Sequence, residues 1–236
     1  MLENYQLKNI LFLDIETVPQ YENFETLPEN LAELWQKKYS ALRNAIEESA
    51  ENSYHRAGIY AEFGKIICIS CGNFTPENKF RIKSFYGHDE KELLTDFSNM
   101  LYKSFSAPNK LLCAHNGKEF DFPYICRRLL INRLPLPPIL DIAGKKPWEV
   151  AHLDTMELWK FGDFKSYTTL NLLCAVFNIP TPKDDIDGST VWKVYWEDKN
   201  LERILTYCQK DVLSVVQIFR SFRGERIFEA DEVEYV

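Results

Sequence analysis

The sequence of 236 residues lacks any apolar run approaching the roughly 20 residues that a membrane-spanning helix needs. It also lacks a secretory leader, because Met1–Lys8 is polar and the next apolar run extends only from Ile10 to Leu13. No repeat, low-complexity stretch or linker interrupts the chain. We therefore expect one cytoplasmic domain over residues 1–236, without a membrane partner.

An excess of basic residues is also missing. The chain carries 28 Lys and Arg against 35 Asp and Glu, a net charge of −7, which argues against a phosphate-rich partner. The position of the charge weakens that argument, because residues 1–60 contribute −5 and residues 225–236 contribute −4. Residues 61–224 carry +2. We interpret residues 225–236 as an acidic tail and leave a nucleic-acid partner open.

Cysteine pairs of the kind that bind zinc are scarce. Cys68 and Cys71 form a single C-x-x-C pair inside an apolar run, and no second pair follows. The other cysteines also lie in apolar surroundings, as in Leu111–Ala114. This pattern is typical of reduced, buried thiols.

The composition fits a folded core, since 45% of the residues are hydrophobic and 27% are charged. The periodicity of apolar residues predicts strands and helices in a mixed α/β sheet flanked by helices. Strands are predicted at residues 8–15, 65–74, 79–86 and 110–114. Helices are predicted at residues 31–48, 89–105, 121–132, 166–178 and 201–222. The helix at 31–48 lies in a helical insertion, residues 21–60, after the first strand.

The first candidate motif is Asp14-Ile-Glu16-Thr17, at the end of the first strand. Residues i and i+2 of a strand point to the same face, so the two carboxylates would repel each other unless a cation lies between them. The alternative is an acidic strand end, because D-x-E arises easily by chance.

Two further motifs place acids at other elements. In Asn116-Gly-Lys-Glu-Phe120-Asp121, the acid begins a helix, and an N-cap is the alternative function. In Tyr207-x-x-x-Asp211, a phenol and a carboxylate share one face of an otherwise apolar helix. The alternative here is a position on the solvent side of the helix.

The motifs together supply four carboxylates: Asp14, Glu16, Asp121 and Asp211. Hard oxygen ligands of this kind suit Mg²⁺ or Mn²⁺, and two such ions about 3.5–4 Å apart support in-line phosphoryl displacement. Tyr207 could then hydrogen-bond and orient the attacking water.

The order D-I-E-T, N-x-x-x-F-D and Y-x-x-x-D resembles the DEDD exonucleases, the DnaQ-like branch of the RNase H-like fold. Tyr207 places the resemblance in the DEDDy branch, because the histidine of the other branch would stand at Thr206. The chain looks most similar to predicted 3′–5′ exonucleases related to the proofreading domain of family B DNA polymerases. The resemblance covers about residues 8–222 and includes Glu62–Ile66 and Gly188–Trp192.

The resemblance implies roles for eight residues. Asp14, Glu16, Asp121 and Asp211 match the metal-binding acids, and Tyr207 matches the tyrosine that orients the water. Thr17, Asn116 and Phe120 match positions that approach the terminal nucleotide or border the substrate groove.

The resemblance implies a 3′–5′ exonuclease that uses two Mg²⁺ or Mn²⁺ ions and releases nucleoside monophosphates from a single-stranded 3′ end. It favours DNA over RNA. The alternatives are a 3′–5′ exoribonuclease, a non-catalytic nucleic-acid-binding module of the same fold, and an Mg²⁺ phosphohydrolase of small nucleotides. The sequence identifies no protein partner.

Other residues are ambiguous or set aside. His115 is interpreted as structural, and Asp154 is left outside the metal cluster. Arg127 and Arg128 could face a phosphate backbone or lie on a solvated helix face. The acidic run of Asp184, Asp185 and Asp187 is interpreted as a solvated loop.

Overall fold

The computed structural model describes residues 2–41, 49–163, 165–180 and 186–236. The strands are β1 (Ile10–Pro19), β2 (Gly64–Phe74), β3 (Phe80–Tyr86), β4 (Leu111–Ala114), β5 (Leu153–Asp154) and β6 (Val233–Tyr235). The helices are α1 (Glu29–Ser40), α2 (Glu90–Ser104), α3 (Asp121–Ile131), α4 (Thr155–Lys160), α5 (Leu170–Val176), α6 (Val191–Trp196) and α7 (Leu201–Phe222). The strands form one mixed sheet in the order β5-β4-β1-β2-β3-β6. The predicted mixed α/β fold is confirmed.

β1 is the central strand of the sheet. It pairs with β2 in the antiparallel direction and with β4 in the parallel direction. Its odd-numbered residues from Leu11 to Ile15 pack beneath α2 and α3, whereas Ile10 and Phe12 pack beneath α7. Because side chains alternate along a strand, Asp14 and Glu16 continue the face that α7 covers.

The four predicted strands and the helices near residues 89–105, 121–132 and 201–222 are present. Asp89 caps α2 by accepting a hydrogen bond from the Glu92 backbone N–H at 3.1 Å. The helix predicted at 166–178 begins only at Leu170, because Thr169 adopts an extended conformation and its side chain caps α5. Among the described helices, none is long and apolar enough to cross a membrane.

The helical insertion packs around an aromatic cluster of its own. Trp35 on α1 is fully buried among Tyr39, Tyr54 and Phe63, and its indole N–H donates to the Ala50 carbonyl at 2.7 Å. The turn at Tyr54–Ile59 then packs against β1. The predicted helix of the insertion is confirmed over residues 29–40, and residues 42–48 lie outside the described part of the chain.

The C-terminal residues contain a strand that the sequence did not predict. β6 pairs with β3 in the parallel direction at the edge of the sheet, and Phe228 packs against Phe74 and Phe80. The segment interpreted as an acidic tail is thus attached to the sheet and the core.

Candidate active site

One strand, β1, and one helix, α7, bring the acids of the first motif next to a thiol. Asp14, Glu16 and Cys208 each offer one ligand atom, and these atoms lie within 4.8 Å of one another. Glu16 is buried and Asp14 is partly exposed. The cluster therefore lies at the solvent boundary of the core, where a ligand can reach it.

α7 contributes the third motif because its apolar stripe packs on β1 and β2. Val212, Val215 and Val216 are fully buried beneath the sheet. Cys208, one turn earlier on this stripe, has its Sγ at 3.5 Å from both the carbonyl oxygen and Oδ2 of Asp14. Asp211 is partly exposed, and it lies close enough to Asp14 and Glu16 for its charge to raise the pKa of both, so its carboxylate faces the acids of β1.

Asp121 enters the site from α3. Pairing between β1 and β4 ends at Phe12, so the Ile15 backbone N–H lies beyond it and donates to Asp121 Oδ1 at 3.2 Å. The alternative of an N-cap is wrong for Asp121. Phe120 is the N-cap residue, and Asp121 is the first residue of the helix, where its carboxylate accepts from the Ile15 N–H of β1.

The four acids act on one another electrostatically. Burial raises the pKa of Asp14 well above its usual range, and the charges of Glu16, Asp211 and Asp121 raise it further. Burial, followed by the charge of Asp211, does the same to the pKa of Glu16. Burial raises the pKa of Asp121 to about 7, although its backbone hydrogen bonds oppose the shift. The raised pKa values of these carboxyl groups indicate that no positive charge near them offsets their negative charges.

A divalent cation fits this deficit. Carboxylate oxygens are the ligands that Mg²⁺ and Mn²⁺ prefer, and several buried carboxylates in one place are stabilised when a cation neutralises them. Burial raises the pKa of the Cys208 thiol, so this neighbour stays uncharged and adds no further negative charge. The donor set therefore fits hard divalent ions, as the sequence predicted.

Tyr207 stands beside the acids. Burial raises the pKa of its phenol, and the charges of Asp211, Glu16 and Asp14 raise it further. The phenol consequently keeps its proton throughout the working range of pH and can donate a hydrogen bond.

The second motif forms a turn that Asp154 holds in place. Asn116 has a left-handed backbone with φ of 63°. Its N–H donates to Asp154 Oδ1 at 3.0 Å, and the Lys118 N–H donates to Oδ2 at 3.1 Å. Asp154 also caps α4 by accepting from the Met156 backbone N–H. That Asp154 holds the turn of the second motif was not predicted from the sequence, although an acid after a short apolar run is typical of a helix cap.

The residues predicted to contact substrate surround this turn and the end of β1. Thr17 follows an irregularity in the pairing of β1 with β2, and it is partly exposed. Phe120 packs against Tyr124 with ring centroids 5.3 Å apart. Asn116 lines a cavity of about 860 Å³ between α3, α4 and residues 134–150. That cavity lies beside the acid cluster and does not include its four carboxylates.

Several ambiguous residues are now assigned. Both ring nitrogens of His115 are engaged, with Thr155 Oγ1 and the Thr168 carbonyl at 2.9 Å each, so its structural interpretation is supported. Arg128 is buried in an ion pair with Glu90 and faces no phosphate, whereas Arg127 is exposed. All six cysteines are free, and five of them are buried.

Two comparisons place the chain among known proteins. It has a TM-score of 0.53 and 16% identity to a family B DNA polymerase from the hyperthermophilic archaeon Pyrobaculum calidifontis, over 90% of this chain and 24% of that one. The chain thus spans about a quarter of the polymerase, and the likeness supports the RNase H-like fold. A family model described as a predicted 3′–5′ exonuclease related to the exonuclease domain of PolB matches residues 59–228. This range contains Asp121, Tyr207 and Asp211 and begins after Asp14 and Glu16. The chain belongs to this family of predicted 3′–5′ exonucleases, which are hydrolases of phosphodiester bonds.

Proposed function

We propose that this protein is a metal-dependent exonuclease that removes nucleoside monophosphates from the 3′ end of single-stranded DNA. The observation that carries the proposal is the meeting of acids from β1, α3 and α7. Asp14 and Glu16 offer ligand atoms within 4.8 Å, and Asp121 and Asp211 act on the pKa of both.

The four acids are proposed to hold two Mg²⁺ or Mn²⁺ ions. Such ions polarise a phosphodiester and offset the charge that develops on its oxygens during displacement. Asp14 and Glu16 are suited to holding metal ions because the central strand of the sheet, β1, fixes their positions. Asp121 is fixed by its hydrogen bond from the Ile15 N–H.

Tyr207 is proposed to hold the water that attacks the terminal phosphodiester. Its protonated phenol can accept a hydrogen bond from this water or donate one to it, which orients the water without removing its proton. Thr17, Asn116 and Phe120 are proposed to contact the terminal nucleotide, because they border the acids on the β1 and α3 sides.

The decisive test uses purified protein, Mg²⁺ and matched DNA and RNA oligonucleotides that carry a 5′ label. We expect a ladder of products that shorten from the 3′ end, with DNA degraded faster than RNA. Asp14→Asn should abolish the ladder, whereas Asp96→Asn, at an exposed position on α2, should leave it intact.

The other candidate functions predict different results. Faster degradation of RNA would replace DNA by RNA as the substrate. Binding without degradation by the wild type would indicate a non-catalytic module. Hydrolysis of small nucleotide esters in preference to oligonucleotides would indicate a phosphohydrolase. Full-length oligonucleotide remaining with the wild type would contradict the nuclease proposal.

We further propose that residues 1–236 act as one exonuclease unit and that insertion 21–60 restricts the groove to single strands. The insertion packs at the end of β1, immediately after the acids, because Tyr54–Ile59 contacts that strand. Replacement of α1 by a short linker should increase degradation of recessed 3′ ends in duplexes. An unchanged ratio of single-strand to duplex activity would contradict this function of the insertion.

A further inference from the structure

Three large aromatic side chains are exposed on one side of the second-motif turn. Trp148, Phe161 and Tyr167 expose 76%, 73% and 65% of their surface. Phe161 also has a left-handed backbone with φ of 45°, which is unfavourable for a bulky residue. The left-handed backbone of Phe161 ends α4, and it is the exposure of several large aromatic side chains that points to a function outside the core.

Basic side chains accompany the aromatics. Lys146 Nζ lies 5.3 Å from the Trp148 ring centroid, and Lys160 Nζ lies 4.2 Å from the Tyr167 centroid. Lys145 precedes Lys146 in the sequence and is also exposed. We refer to Lys145, Lys146, Trp148, Lys160, Phe161 and Tyr167 as the basic aromatic surface.

This surface borders the cavity of about 860 Å³ that Asn116 lines. Apolar side chains make up much of the lining, including Leu130, Ile142 and Met156. Arg127, Lys145 and Lys160 are also among the lining residues. The cavity thus combines an apolar interior with cationic groups.

The acidic groups at the cavity are largely engaged. Glu157 forms an ion pair with Lys118 at 2.6 Å. Asp154 is buried and accepts hydrogen bonds from backbone N–H groups. Glu119 is exposed. Two further exposed acids lie in the same loops: Glu149 accepts from the Lys146 backbone N–H at 2.8 Å, and Asp163 accepts from the Lys165 backbone N–H at 3.2 Å. Most carboxylates near the basic aromatic surface are thus already held by a hydrogen bond or an ion pair.

The structure also ties this surface to the candidate active site. Asp154 caps the start of α4, and Phe161 follows the last residue of that helix; the Asp154 carboxylate also accepts the hydrogen bond from the Asn116 N–H. The segment that carries Tyr167 is also held by the second-motif turn, because His115 Nε2 contacts the carbonyl oxygen of the neighbouring Thr168. Both parts of the surface are thus anchored to the turn that leads into Asp121.

We propose that the basic aromatic surface binds the single strand upstream of its 3′ end, with bases stacked on the aromatic rings and one base entering the cavity. Aromatic faces stack bases of any sequence, and Lys and Arg neutralise the phosphates between them. An apolar peptide would use the cavity but not the cations around it. The inference rests on the proposed nuclease function for the identity of the substrate.

The test measures binding separately from cleavage. Fluorescence anisotropy in EDTA compares 5′-labelled oligothymidylates of about 3 and about 12 nucleotides, which span the usual size of such sites. We expect the wild type to bind the longer one more tightly. Trp148→Ala should weaken binding of the longer one about fivefold or more and leave the shorter one unchanged. Tyr235→Ala, an exposed aromatic at the opposite edge of the sheet, is the matched control.

The cationic contribution has its own measurement. The double variant Lys145→Ala/Lys146→Ala should reduce the slope of log Kd against log salt by about 1.4, because each lost phosphate contact on a single strand accounts for about 0.7. Lys91→Ala, exposed on α2, should leave the slope unchanged. Circular dichroism confirms that the variants are folded.

The proposal would be overturned if the wild type bound the short and the long oligothymidylate equally well. It would also be overturned if Trp148→Ala and the double variant bound the long one as tightly as the wild type does. Length-dependent binding that is lost in the variants supports it even if the wild type degrades no oligonucleotide. In that case only the proposed nuclease function fails, so the two failures are distinguishable.

Discussion

Tyr207 lies one helical turn before Asp211, and its buried phenol stays protonated because burial and the neighbouring acids raise its pKa. Tyr207→Phe removes the hydroxyl alone and keeps the ring in the cluster formed with α6. We expect kcat on a labelled oligonucleotide to fall about 100-fold, the loss that a misplaced reacting group causes. Mn²⁺ binding, measured by calorimetry, should change less than about twofold, because the carboxylates remain.

A matched control is Tyr86→Phe, which removes the hydroxyl of an exposed tyrosine on β3 and should change neither quantity. Equal losses of kcat and of Mn²⁺ affinity in Tyr207→Phe would contradict a function limited to the water.

Asp121 offers a test through stability. Its pKa is raised from 3.8 to about 7 in the folded protein, so the folded state binds more protons than the unfolded state between these values. The contribution of Asp121 to the free energy of unfolding of the metal-free protein therefore falls as pH rises from 3.8 to about 7. Asp121→Asn keeps an oxygen that can accept from the Ile15 N–H but carries no charge. We expect it to raise the Tm in EDTA at pH 8.

The same variant should gain less stability from Mn²⁺ than the wild type does, because it lacks one charged ligand. Asp96→Asn is the control for the loss of a carboxylate at an exposed position, and it should shift neither Tm. A lower Tm in EDTA for Asp121→Asn would show that its charge does not destabilise the apoprotein.

At the scale of elements, a buried ion pair joins α2, α3 and β2 behind the first motif. Arg128 donates to both carboxylate oxygens of Glu90, at 2.8 and 2.5 Å, and to the Ala61 carbonyl at 2.7 Å. Glu90 Oε1 also accepts from the Ile66 backbone N–H at 2.7 Å. Ile66 pairs with Thr17 just beyond the irregularity in the β1–β2 register, so this network fixes the strand beside the acids.

Arg128→Met tests this network because it leaves the Glu90 carboxylate buried without its partner. We expect the free energy of unfolding, from urea denaturation, to fall by about 3–5 kcal/mol. Arg127→Met, at the exposed neighbouring position, should change it little. The double variant Arg128→Met/Glu90→Gln should recover part of the loss, and no recovery would indicate that packing alone causes the effect.

The sequence predicted the elements whose pattern is long and periodic. α7 has the predicted bounds of 201–222, because its apolar stripe repeats over many turns. α4 and α6 have six residues each, too few for a periodic signal, and neither helix was predicted. β6 was not predicted either, because the contacts that hold this acidic segment on the sheet, those of Phe228 and the ion pair of Glu234 with Arg81, join residues distant along the chain.

The candidate site was predictable to the extent that it follows motifs. The first and third motifs place their acids on the faces that strand and helix spacing indicate. The contributions of Asp154 and Cys208 could not be read from the sequence, because a cap and a buried thiol act through residues distant along the chain. Cys208 meets Asp14 across 194 positions.

For the whole molecule, the net charge of −7 takes on a different meaning once the acids are located. Four of these charges belong to the candidate metal site, which two divalent cations would neutralise. At the C-terminal end, Glu232 pairs with Arg226 and Glu234 pairs with Arg81. The acidic balance therefore does not argue against a nucleic-acid substrate.

The attachment of the C-terminal residues gives a prediction at this scale. The Phe228 ring stacks on Phe80 at 5.5 Å, and its backbone N–H donates to Gln217 Oε1 at 2.9 Å. Phe228→Ala should reduce the free energy of unfolding by about 3–5 kcal/mol, as expected for a buried phenylalanine. Truncation after Glu229 removes β6 but keeps Phe228, and it should cost less, because β6 adds three exposed or partly exposed residues at the sheet edge.

Both variants should retain exonuclease activity at temperatures where they are folded, because β2 and β3 separate β6 from β1 and β6 supplies none of the candidate catalytic residues. Urea denaturation and the oligonucleotide assay, performed on the same preparations, check the two statements. A truncation that destabilises the protein more than Phe228→Ala would mean that the edge strand, rather than the phenylalanine, anchors the C-terminal residues. Loss of activity in a folded truncation would instead mean that the C-terminal residues act on the site, which their pairing with β3 alone does not explain.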